Sequence, residues 1–533
     1  MTKQMNMFSI ISVAFVVVAV ISLRLLPFAF DDAYIHFRIA ENFARDGMPY
    51  FNSEQPVMGT SSPVWTYVLT LLALTHISLP IIVALLNSGL TVLGAVVWSR
   101  LLDKIVDRPF SKMLLWIFSS VYVGILLPSS AGLMETPLAM LLVAWACLLL
   151  LNKSPFAWTV IVIGVFTRYE LVVFVFFVGV LQFVSDRRHL FRNTICFLLP
   201  FVLLSLSVLL LFSTLVPQPV SAKQIVYSLS RESVFHNAFY SLVPKLDYPI
   251  LGIHFGVRAQ HLISAGISWA WVAGVFFFAG LTFYSLPLSE FFQNVHQRWV
   301  LCIGITGVMI MLAYILKRVF LHAWYAPLFC IPIVFFFFAT SRMSLFATLA
   351  ALGLAVLPSS TLVEYSMAAV GYTHILRTAT SGARVQRYME VGSVLNRIFP
   401  TARLMTSEIG GLGYSFRGEL LDGVGLITPN ALKYHPLTGA ASGIGGIPAD
   451  FVRNMSPELI VSYPVFLKDF KETDISEQYL RLQISAFSDE YSIRSGADSI
   501  WGCDKLYIYI RRDVVDHNKT QILKKDLGAT LAP

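Results

Sequence analysis

The sequence predicts a polytopic α-helical membrane domain followed by one water-soluble α/β domain. Hydrophobic residues make up 56% of the 533 residues and charged residues only 13%, whereas soluble proteins carry about 25% charged residues. Apolar runs long enough to cross a bilayer recur through residues 1–360. Residues 361–533 instead hold as many basic as acidic residues, so the net charge of +8 lies in residues 1–360.

About 11 apolar segments are predicted to span the membrane. The first, 8–29, lacks a small-residue cleavage site, so it is predicted to be a retained span and not a cleaved signal peptide. The others are 80–99, 113–130, 137–152, 155–168, 170–184, 193–214, 262–285, 299–316, 324–341 and 343–360.

Basic residues in the short connections set the predicted orientation. Arg100, Lys104, Lys153 and Arg298 all fall on the cytoplasmic side if the N-terminus is cytoplasmic and residues 361–533 lie outside an inner or plasma membrane. Counting residues 63–79 as a full span would break this pattern, so they are predicted to dip into the outer leaflet. The predicted external loops are 30–62, 131–136, 215–261 and 317–323.

Cysteine usage and charge argue against a disulfide-rich protein, a cysteine metal site and a nucleic-acid-binding protein. Four of the five cysteines fall in apolar runs and Cys503 is alone in the soluble part, so neither a disulfide framework nor a cysteine metal site is predicted. The basic excess belongs to membrane topology and to an anionic ligand. Nucleic acid is therefore not a predicted partner.

The first external loop begins with two adjacent carboxylates, Asp31 and Asp32. Such residues at the outer end of a span are costly unless a cation or a water-filled cavity receives them. They are either solvated loop acids or a general base with a partner carboxylate or metal ligand. Apolar and polar residues then alternate at helical spacing from Ile35 to Arg45, which predicts an amphipathic helix along the membrane surface.

Other external residues have two interpretations each. Glu135 either caps the next helix or takes part in chemistry, and Arg168 either pairs structurally with Glu170 or binds a ligand. Lys223 either snorkels to the interface or binds a ligand. Together these cations indicate an external cavity for an anionic head group, because Arg and Lys bind phosphate oxygens and the membrane edge admits a lipid tail. A basic and aromatic edge follows at Lys317, Arg318, His322, Trp324 and Tyr325.

Several motifs resemble those of GT-C glycosyltransferases. Residues 31–38 and 59–65 resemble the first external loop of polyprenyl-phosphate-dependent arabinofuranosyltransferases, such as the mycobacterial terminal arabinofuranosyltransferases. Tyr169 stands where that family has proline, and residues 217–223 match the family only loosely. Shorter elements that resemble this family are 132–138, 167–170, 322–325, 408–414 and 421–426.

The resemblance implies transfer of a sugar, with D-arabinofuranose expected, from a polyprenyl-phosphate donor to an acceptor hydroxyl on the outer face. It implies that Asp31 is the base and that Asp32 positions hydroxyl groups. The resemblance does not fix a cofactor. Binding of a divalent cation (Mg²⁺, Mn²⁺ or Ca²⁺) at Asp31 and Asp32 stays open. The residues expected to bind the donor phosphate are Lys223, Arg168 and Arg318. Those expected to bind sugar or acceptor are Tyr34, Arg38, Glu135, His322, Trp324 and Tyr325.

Alternatives stay open at this point. A lipid-linked sugar transporter or flippase also carries intramembrane charges and broken helices, although here the polar residues cluster in external loops. A mannosyl-, aminoarabinosyl- or oligosaccharyl-transferase of the same architecture differs only in its donor. The acceptor is a cell-envelope glycan or a surface protein, and the sequence does not choose between them.

Residues 361–533 are predicted to form a small α/β domain over the catalytic mouth, as a lid, a scaffold or a grip on the acceptor. Residues 385–399 have helical spacing, while 459–463 and 506–510 have strand patterns. Glycine runs at 410–413 and 443–446 are predicted to mark tight turns. Three polar residues either face the cavity or cap turns: Glu408, Tyr414 and Asp422.

Overall fold

The structure is a computed structural model of the chain. It describes residues 2–52, 55–106, 112–185, 187–227, 294–318, 322–341, 345–371, 379–438, 445–471, 473–487 and 503–532, with a few isolated positions between them. The chain divides into two compact units. The helical unit is Met1–Ser22, Ala84–Leu204 and Ser230–Ser366, and the sheet unit is Leu23–Val83, Ser205–Leu229 and Met367–Pro533.

Helices dominate residues 2–371, because a helix satisfies its own backbone hydrogen bonds, as the bilayer core requires. The described helices there are α1 (Thr2–Arg24), α2 (Asp31–Asp46), α3 (Pro63–Ala73), α4 (Leu79–Ile105), α5 (Lys112–Ala131), α6 (Thr136–Leu151), α7 (Phe156–Thr167), α8 (Val172–Ser185), α9 (Leu190–Phe212), α10 (Gln218–Val226), α11 (Val295–Lys317), α12 (Ala326–Thr340) and α13 (Leu345–Ala369).

Among the described residues, four helices are long and apolar enough to cross a membrane: α4, α5, α9 and His296–Lys317 of α11. Every predicted span except 262–285 coincides with a helix. Most of 262–285 lies outside the described residues, so the number of spans stays a prediction. The 11 residues of α3 are about 16 Å long, too short for a hydrocarbon core of about 30 Å. Since α7, which coincides with a predicted span, has only 12 residues, this length alone does not distinguish the two cases, and the dip of α3 and the orientation stay predictions.

Aromatic packing forms the core of the helical unit. The indole nitrogen of Trp98 in α4 donates a hydrogen bond to the carbonyl oxygen of Met140 in α6, at 2.9 Å. The ring of Phe335 in α12 packs edge-on against Trp98 and Phe118, with centroids 5.2 Å and 6.1 Å apart. Edge-to-face contacts of this kind favour a fixed arrangement of rings, so α4, α5, α6 and α12 are held by specific contacts.

The sheet unit contains a mixed six-stranded sheet in the order β2-β1-β3-β5-β4-β6 within the described residues. β1 is parallel to β2 and β3, so the carboxyl ends of these three strands share one edge, while the other pairs are antiparallel. The strands are β1 (Leu404–Thr406), β2 (Leu420–Asp422), β3 (Leu459–Ser462), β4 (Tyr479–Ser485), β5 (Lys505–Arg511) and β6 (Thr530–Leu531). The remaining helices are α14 (Ala379–Ile398), α15 (Gly410–Ser415), α16 (Ala449–Met455), α17 (Lys468–Lys471) and α18 (His517–Leu527).

Three predicted elements of the C-terminal region agree with the structure. The helical pattern at 385–399 lies in α14 up to Ile398, and the strand patterns at 459–463 and 506–510 correspond to β3 and β5. The four residues of β3 are fully buried, which explains their continuous apolar run. The predicted boundary at residue 361 is not tested, yet residues 23–83 belong to the same compact unit as this sheet.

The predicted helix after Asp32 is present as α2, but its polar side is not free in water. Arg38 is only 3% exposed. Its guanidinium donates hydrogen bonds to the carbonyl oxygens of Phe51 (2.8 Å), Gly413 (2.6 Å), Phe416 (2.7 Å) and Gly418 (3.0 Å). Buried carbonyl groups in the last turn of a helix or outside regular structure need such donors. The prediction that this face lies on a membrane surface was therefore wrong for Arg38.

Replacing Arg38 with glutamine is expected to destabilise the sheet unit by about 2 kcal/mol or more, because buried carbonyl groups lose their donors and each unsatisfied group costs about 1–3 kcal/mol. Thermal unfolding of the purified protein in detergent, followed by tryptophan fluorescence, measures the change. Arg45→Gln is the control, since the Arg45 side chain lies on the same helix and is 57% exposed. Equal melting temperatures for the two variants would contradict this structural role of Arg38.

Candidate active site

Asp31 is the first residue of α2, and its carboxylate faces the beginning of α15. The amide of Gly410 donates to Oδ2 at 2.9 Å and the amide of Gly411 donates to Oδ1 at 2.8 Å. A Cβ atom on Gly410 would lie 1.9 Å from the carbonyl oxygen of Asp31, which leaves room for glycine only. The glycine run at 410–413 was predicted as a tight turn, and it instead begins a short helix pressed against α2.

The surroundings of Asp31 alter its acidity in both directions. Burial raises the pKa of the Asp31 carboxyl, and this effect outweighs the lowering by the Arg384 guanidinium and by the two glycine amides, while the charge of Asp32 adds to the increase. A base with a raised pKa removes a proton from a hydroxyl group more readily than an ordinary aspartate. The position therefore suits a general base better than a solvated loop acid.

The second carboxylate, Asp32, forms an ion pair with Lys223 at 3.1 Å. Lys223 lies in α10, whose first residue Gln218 holds the helix in place. The backbone amide of Gln218 donates a hydrogen bond to the carbonyl oxygen of Met58, and the side-chain amide of Gln218 donates one to the carbonyl oxygen of Gly425, both at 3.0 Å. Three of the predicted site residues, Asp31, Asp32 and Lys223, are thus brought together in the sheet unit, although almost 200 positions of chain separate Lys223 from the carboxylates.

Two further charged residues, Glu408 and Arg384, form an ion pair that the sequence motifs did not indicate. Glu408 follows β1, and its Oε1 accepts an ion-pair contact from Nη2 of Arg384 at 2.8 Å. Burial raises the pKa of the Glu408 carboxyl, while the Arg384 guanidinium beside it lowers that pKa and favours the charged form. Arg384 has no motif around it, and only the packing of α14 against α15 brings it here. A helix pattern in the sequence does not show this contact.

The other polar residues of the C-terminal region have structural partners. Asp422 ends β2 and caps the following turn, where its carboxylate accepts hydrogen bonds from the amides of Val424 (2.8 Å), Leu426 and Ile427 (3.1 Å). Burial raises the pKa of Asp422 to about 6, against the lowering by these amides. The hydroxyl of Tyr414 donates to Glu41 at 2.9 Å. Of the two alternatives for Asp422, turn capping is the one observed.

Tyr34 and Arg38 were expected to bind sugar or acceptor. The ring of Tyr34 is 2% exposed and packs against Tyr414, with centroids 5.3 Å apart. The guanidinium of Arg38 is occupied by the carbonyl groups described above. Contact of either residue with a ligand therefore stays a prediction.

The helical unit holds a second charged cluster around Arg168. The guanidinium binds Glu135 through Nη1 and Glu170 through Nη2, the latter at 2.9 Å. It also lies over the ring of Tyr325, 4.6 Å from the centroid, and the hydroxyl of Tyr314 donates to Glu170. Glu135 makes no side-chain capping bond at the start of α6, so pairing with Arg168 replaces the predicted cap. The phosphate contact of Arg168 stays a prediction.

Three other expected ligand residues lie near the ends of helices in this unit. The rings of His322 and Trp324 stack with centroids 4.5 Å apart, and the hydroxyl of Thr136 donates to the carbonyl oxygen of Trp324 at 2.8 Å. Arg318 is exposed, in a left-handed conformation (φ 53°), just after α11. The ligand contacts expected for these residues stay predictions.

A divalent cation at Asp31 and Asp32 was left open by the sequence. Among the described residues, no group of three or more His, Cys, Asp or Glu side chains is arranged to hold a metal ion. Both oxygens of Asp31 accept amide hydrogens and Asp32 binds an ammonium group. The Mg²⁺, Mn²⁺ or Ca²⁺ site at these two carboxylates stays a prediction.

Comparison with solved structures identifies the fold. The chain is similar to ArnT from Cupriavidus metallidurans bound to undecaprenyl phosphate, with a TM-score of 0.50 and 12% identity over 88% of this chain and 95% of that chain. The apo state of the same protein gives a TM-score of 0.47 and 12% identity over 96% and 98% of the two chains. No protein-family model and no curated protein sequence matches the chain.

At 12% identity and a TM-score of 0.50, the similarity to the undecaprenyl phosphate-bound structure shows a shared fold. The apolar helices α4, α5, α9 and α11 agree with a membrane protein of this architecture. The chain is therefore an integral membrane protein with the fold of this ArnT structure.

Proposed function

We propose that this protein is a membrane glycosyltransferase that transfers a sugar from a polyprenyl-phosphate donor to an acceptor hydroxyl. The observation that carries the proposal is the carboxylate of Asp31, which is held by two backbone amides within a GT-C fold. A buried carboxylate beside an ion pair is a candidate functional group because burial and neighbouring charges adjust its proton affinity.

In the proposed reaction, the acceptor hydroxyl gives its proton to Asp31 while its oxygen bonds to the anomeric carbon of the donor sugar. The bond between that carbon and the phosphate oxygen breaks, and its electron pair leaves with polyprenyl phosphate. An ionised carboxylate has about four hydrogen-bonding sites on its two oxygens. The amides of Gly410 and Gly411 use two of them, so the others are available to the acceptor proton.

Lys223 is the cation that we assign to the donor phosphate in the sheet unit. Its ammonium binds Asp32 at 3.1 Å in this structure, and a phosphate is a stronger partner because it offers more charge and more acceptor oxygens. If Lys223 bound the phosphate in place of Asp32, the Asp32 carboxylate would be able to accept a hydrogen bond from a hydroxyl group of the sugar or acceptor. Arg168, from the element at 167–170, and Arg318, from the basic edge before 322–325, are retained as proposed phosphate ligands.

The proposed donor sugar is D-arabinofuranose, and the proposed acceptor is a cell-envelope glycan or surface protein at the outer face of a plasma or inner membrane. One structural neighbour was solved with undecaprenyl phosphate bound, which supports a polyprenyl-phosphate partner. The same fold is compatible with an aminoarabinosyl donor. The arrangement of a base and a cation is required for transfer and not for lipid flipping, so it favours an enzyme over a flippase.

Incubation of the purified protein with synthetic polyprenyl-phosphate sugars tests the proposal. The donors are the arabinofuranose, aminoarabinose and mannose forms, with cell-envelope extract as acceptor, and mass spectrometry measures the polyprenyl phosphate released. We expect release from one donor, with the sugar transferred to a component of the extract. Movement of labelled donor across liposome membranes without release would instead support a flippase.

A further inference from the structure

The ion pair between Arg384 and Glu408 occupies a costly position. Each side chain is 11% exposed, and their charged atoms are 2.8 Å apart. Removing two charges from water costs several kcal/mol per ion, and a buried pair often stabilises a protein no more than apolar residues of similar volume do. A contribution to the stability of the fold therefore does not by itself explain this pair. The residues around the pair indicate a further role.

Glu408 is next but one to Gly410 in the chain, and the amides of Gly410 and Gly411 hold the carboxylate of Asp31. The contact is tight, because a Cβ atom on Gly410 would lie 2.6 Å from the carboxyl carbon of Asp31. A small displacement of this segment therefore moves both amide donors relative to the carboxylate that they orient.

Arg384 connects the same segment to α14. The helix lies close to it, since a Cβ atom on Gly411 would be 2.7 Å from the carbonyl oxygen of Val385. Besides Glu408, the charge of Arg384 acts on Asp31. Other ionisable groups that interact electrostatically with this pair or with Asp31 include Asp32, Tyr227, Tyr388 and Tyr463. The charge of one guanidinium on α14 thus acts on two carboxylates, one on α2 and one after β1.

We propose that Arg384 and Glu408 are positioning residues for the transfer reaction, whose ion pair fixes the Gly410 and Gly411 amides and so orients the carboxylate of Asp31. This inference rests on the proposed function, because it assigns to the pair a role through Asp31. Neither residue contacts the donor or acceptor in this role. Both act on the alignment between the base and the acceptor hydroxyl, on which the rate depends strongly.

Steady-state kinetics of four variants test the proposal. Arg384→Gln and Glu408→Gln are each expected to lower kcat by about 10–10²-fold, since a misplacement of about 1 Å costs about 10²-fold, with KM for the lipid donor within about twofold. The double variant is expected to be no slower than the slower single variant, because residues in one pair do not act independently. Arg384→Lys is expected to recover part of the lost kcat, since it restores the charge.

Arg397→Gln is the matched control, because Arg397 lies on the same helix, pairs with Asp526 and is 64% exposed. Its kcat is expected to equal that of the wild type. Wild-type kcat in Arg384→Gln, a proportional rise in KM, or additive losses in the double variant would each overturn the inference.

A second measurement separates this inference from the proposed function. Amide hydrogen exchange of the segment containing Gly410 and Gly411 is expected to be faster in Arg384→Gln and Glu408→Gln, while the β4 and β5 strands keep their protection. Faster exchange together with no transfer by the wild-type protein would overturn the proposed function and support the positioning of Asp31. Wild-type exchange in both variants would overturn the inference, whatever the transfer activity.

Discussion

Replacing Asp31 with asparagine is expected to lower the rate of sugar transfer by about 10²–10⁴-fold, which is the contribution of a positioned acid or base. Asparagine keeps the size of the side chain but cannot take up the proton of the acceptor hydroxyl. Its amide nitrogen also cannot accept the hydrogen bond that Gly410 or Gly411 now donates. The release of polyprenyl phosphate from the active donor measures the loss.

The matched control is Asp46→Asn. Asp46 is an aspartate on the same helix, its side chain is 37% exposed, and it pairs with Arg45 on the surface. We expect this variant to transfer sugar at the wild-type rate and to melt at the same temperature. Activity of Asp31→Asn within about tenfold of the wild type would exclude Asp31 as the base, because positioned bases contribute more than that.

Gly410→Ala is expected to have the second large effect. The added methyl group would lie 1.9 Å from the backbone carbonyl oxygen of Asp31, far inside van der Waals contact. The segment has to move away from α2, and the two amides move with it. Because a displacement of about 1 Å costs about 10²-fold in rate, we expect a loss of that order in transfer and a lower melting temperature.

Gly179→Ala separates this effect from the general consequences of glycine substitution. Gly179 lies in α8, and no heavy atom lies within 4 Å of the position of its Cβ. Alanine in a helix interior is favoured over glycine by about 0.5–1 kcal/mol, so this variant is expected to be at least as stable as the wild type and fully active. A Gly410→Ala protein with wild-type rate and stability would refute the close contact between the two segments.

The sequence by itself determined the local structure of most of the chain. Apolar length and polar punctuation located the helices that coincide with predicted spans (α1, α4 to α9 and α11 to α13), because backbone hydrogen bonds in a bilayer are satisfied within each helix. The short helix α10 lies in a segment that was predicted as an external loop. The buried strands β3 and β5 were visible because β-branched and aromatic residues form short runs bounded by turn residues. The carboxylates at Asp31 and Asp32 stood out because charge at the end of an apolar span is costly.

Only the tertiary structure decided which groups surround those carboxylates. Lys223, Arg384 and Glu408 lie far from Asp31 in the chain, and their contacts follow from the packing of α10, α14 and the segment after β1 within one compact unit. Helical spacing shows that Arg384 lies on a helix but not which carboxylates that helix faces. The close approach of Gly410 to Asp31 is likewise a property of two packed segments, which a pattern within either segment cannot contain. Local periodicity reports on neighbours along the chain, whereas a catalytic constellation depends on contacts between elements distant in sequence.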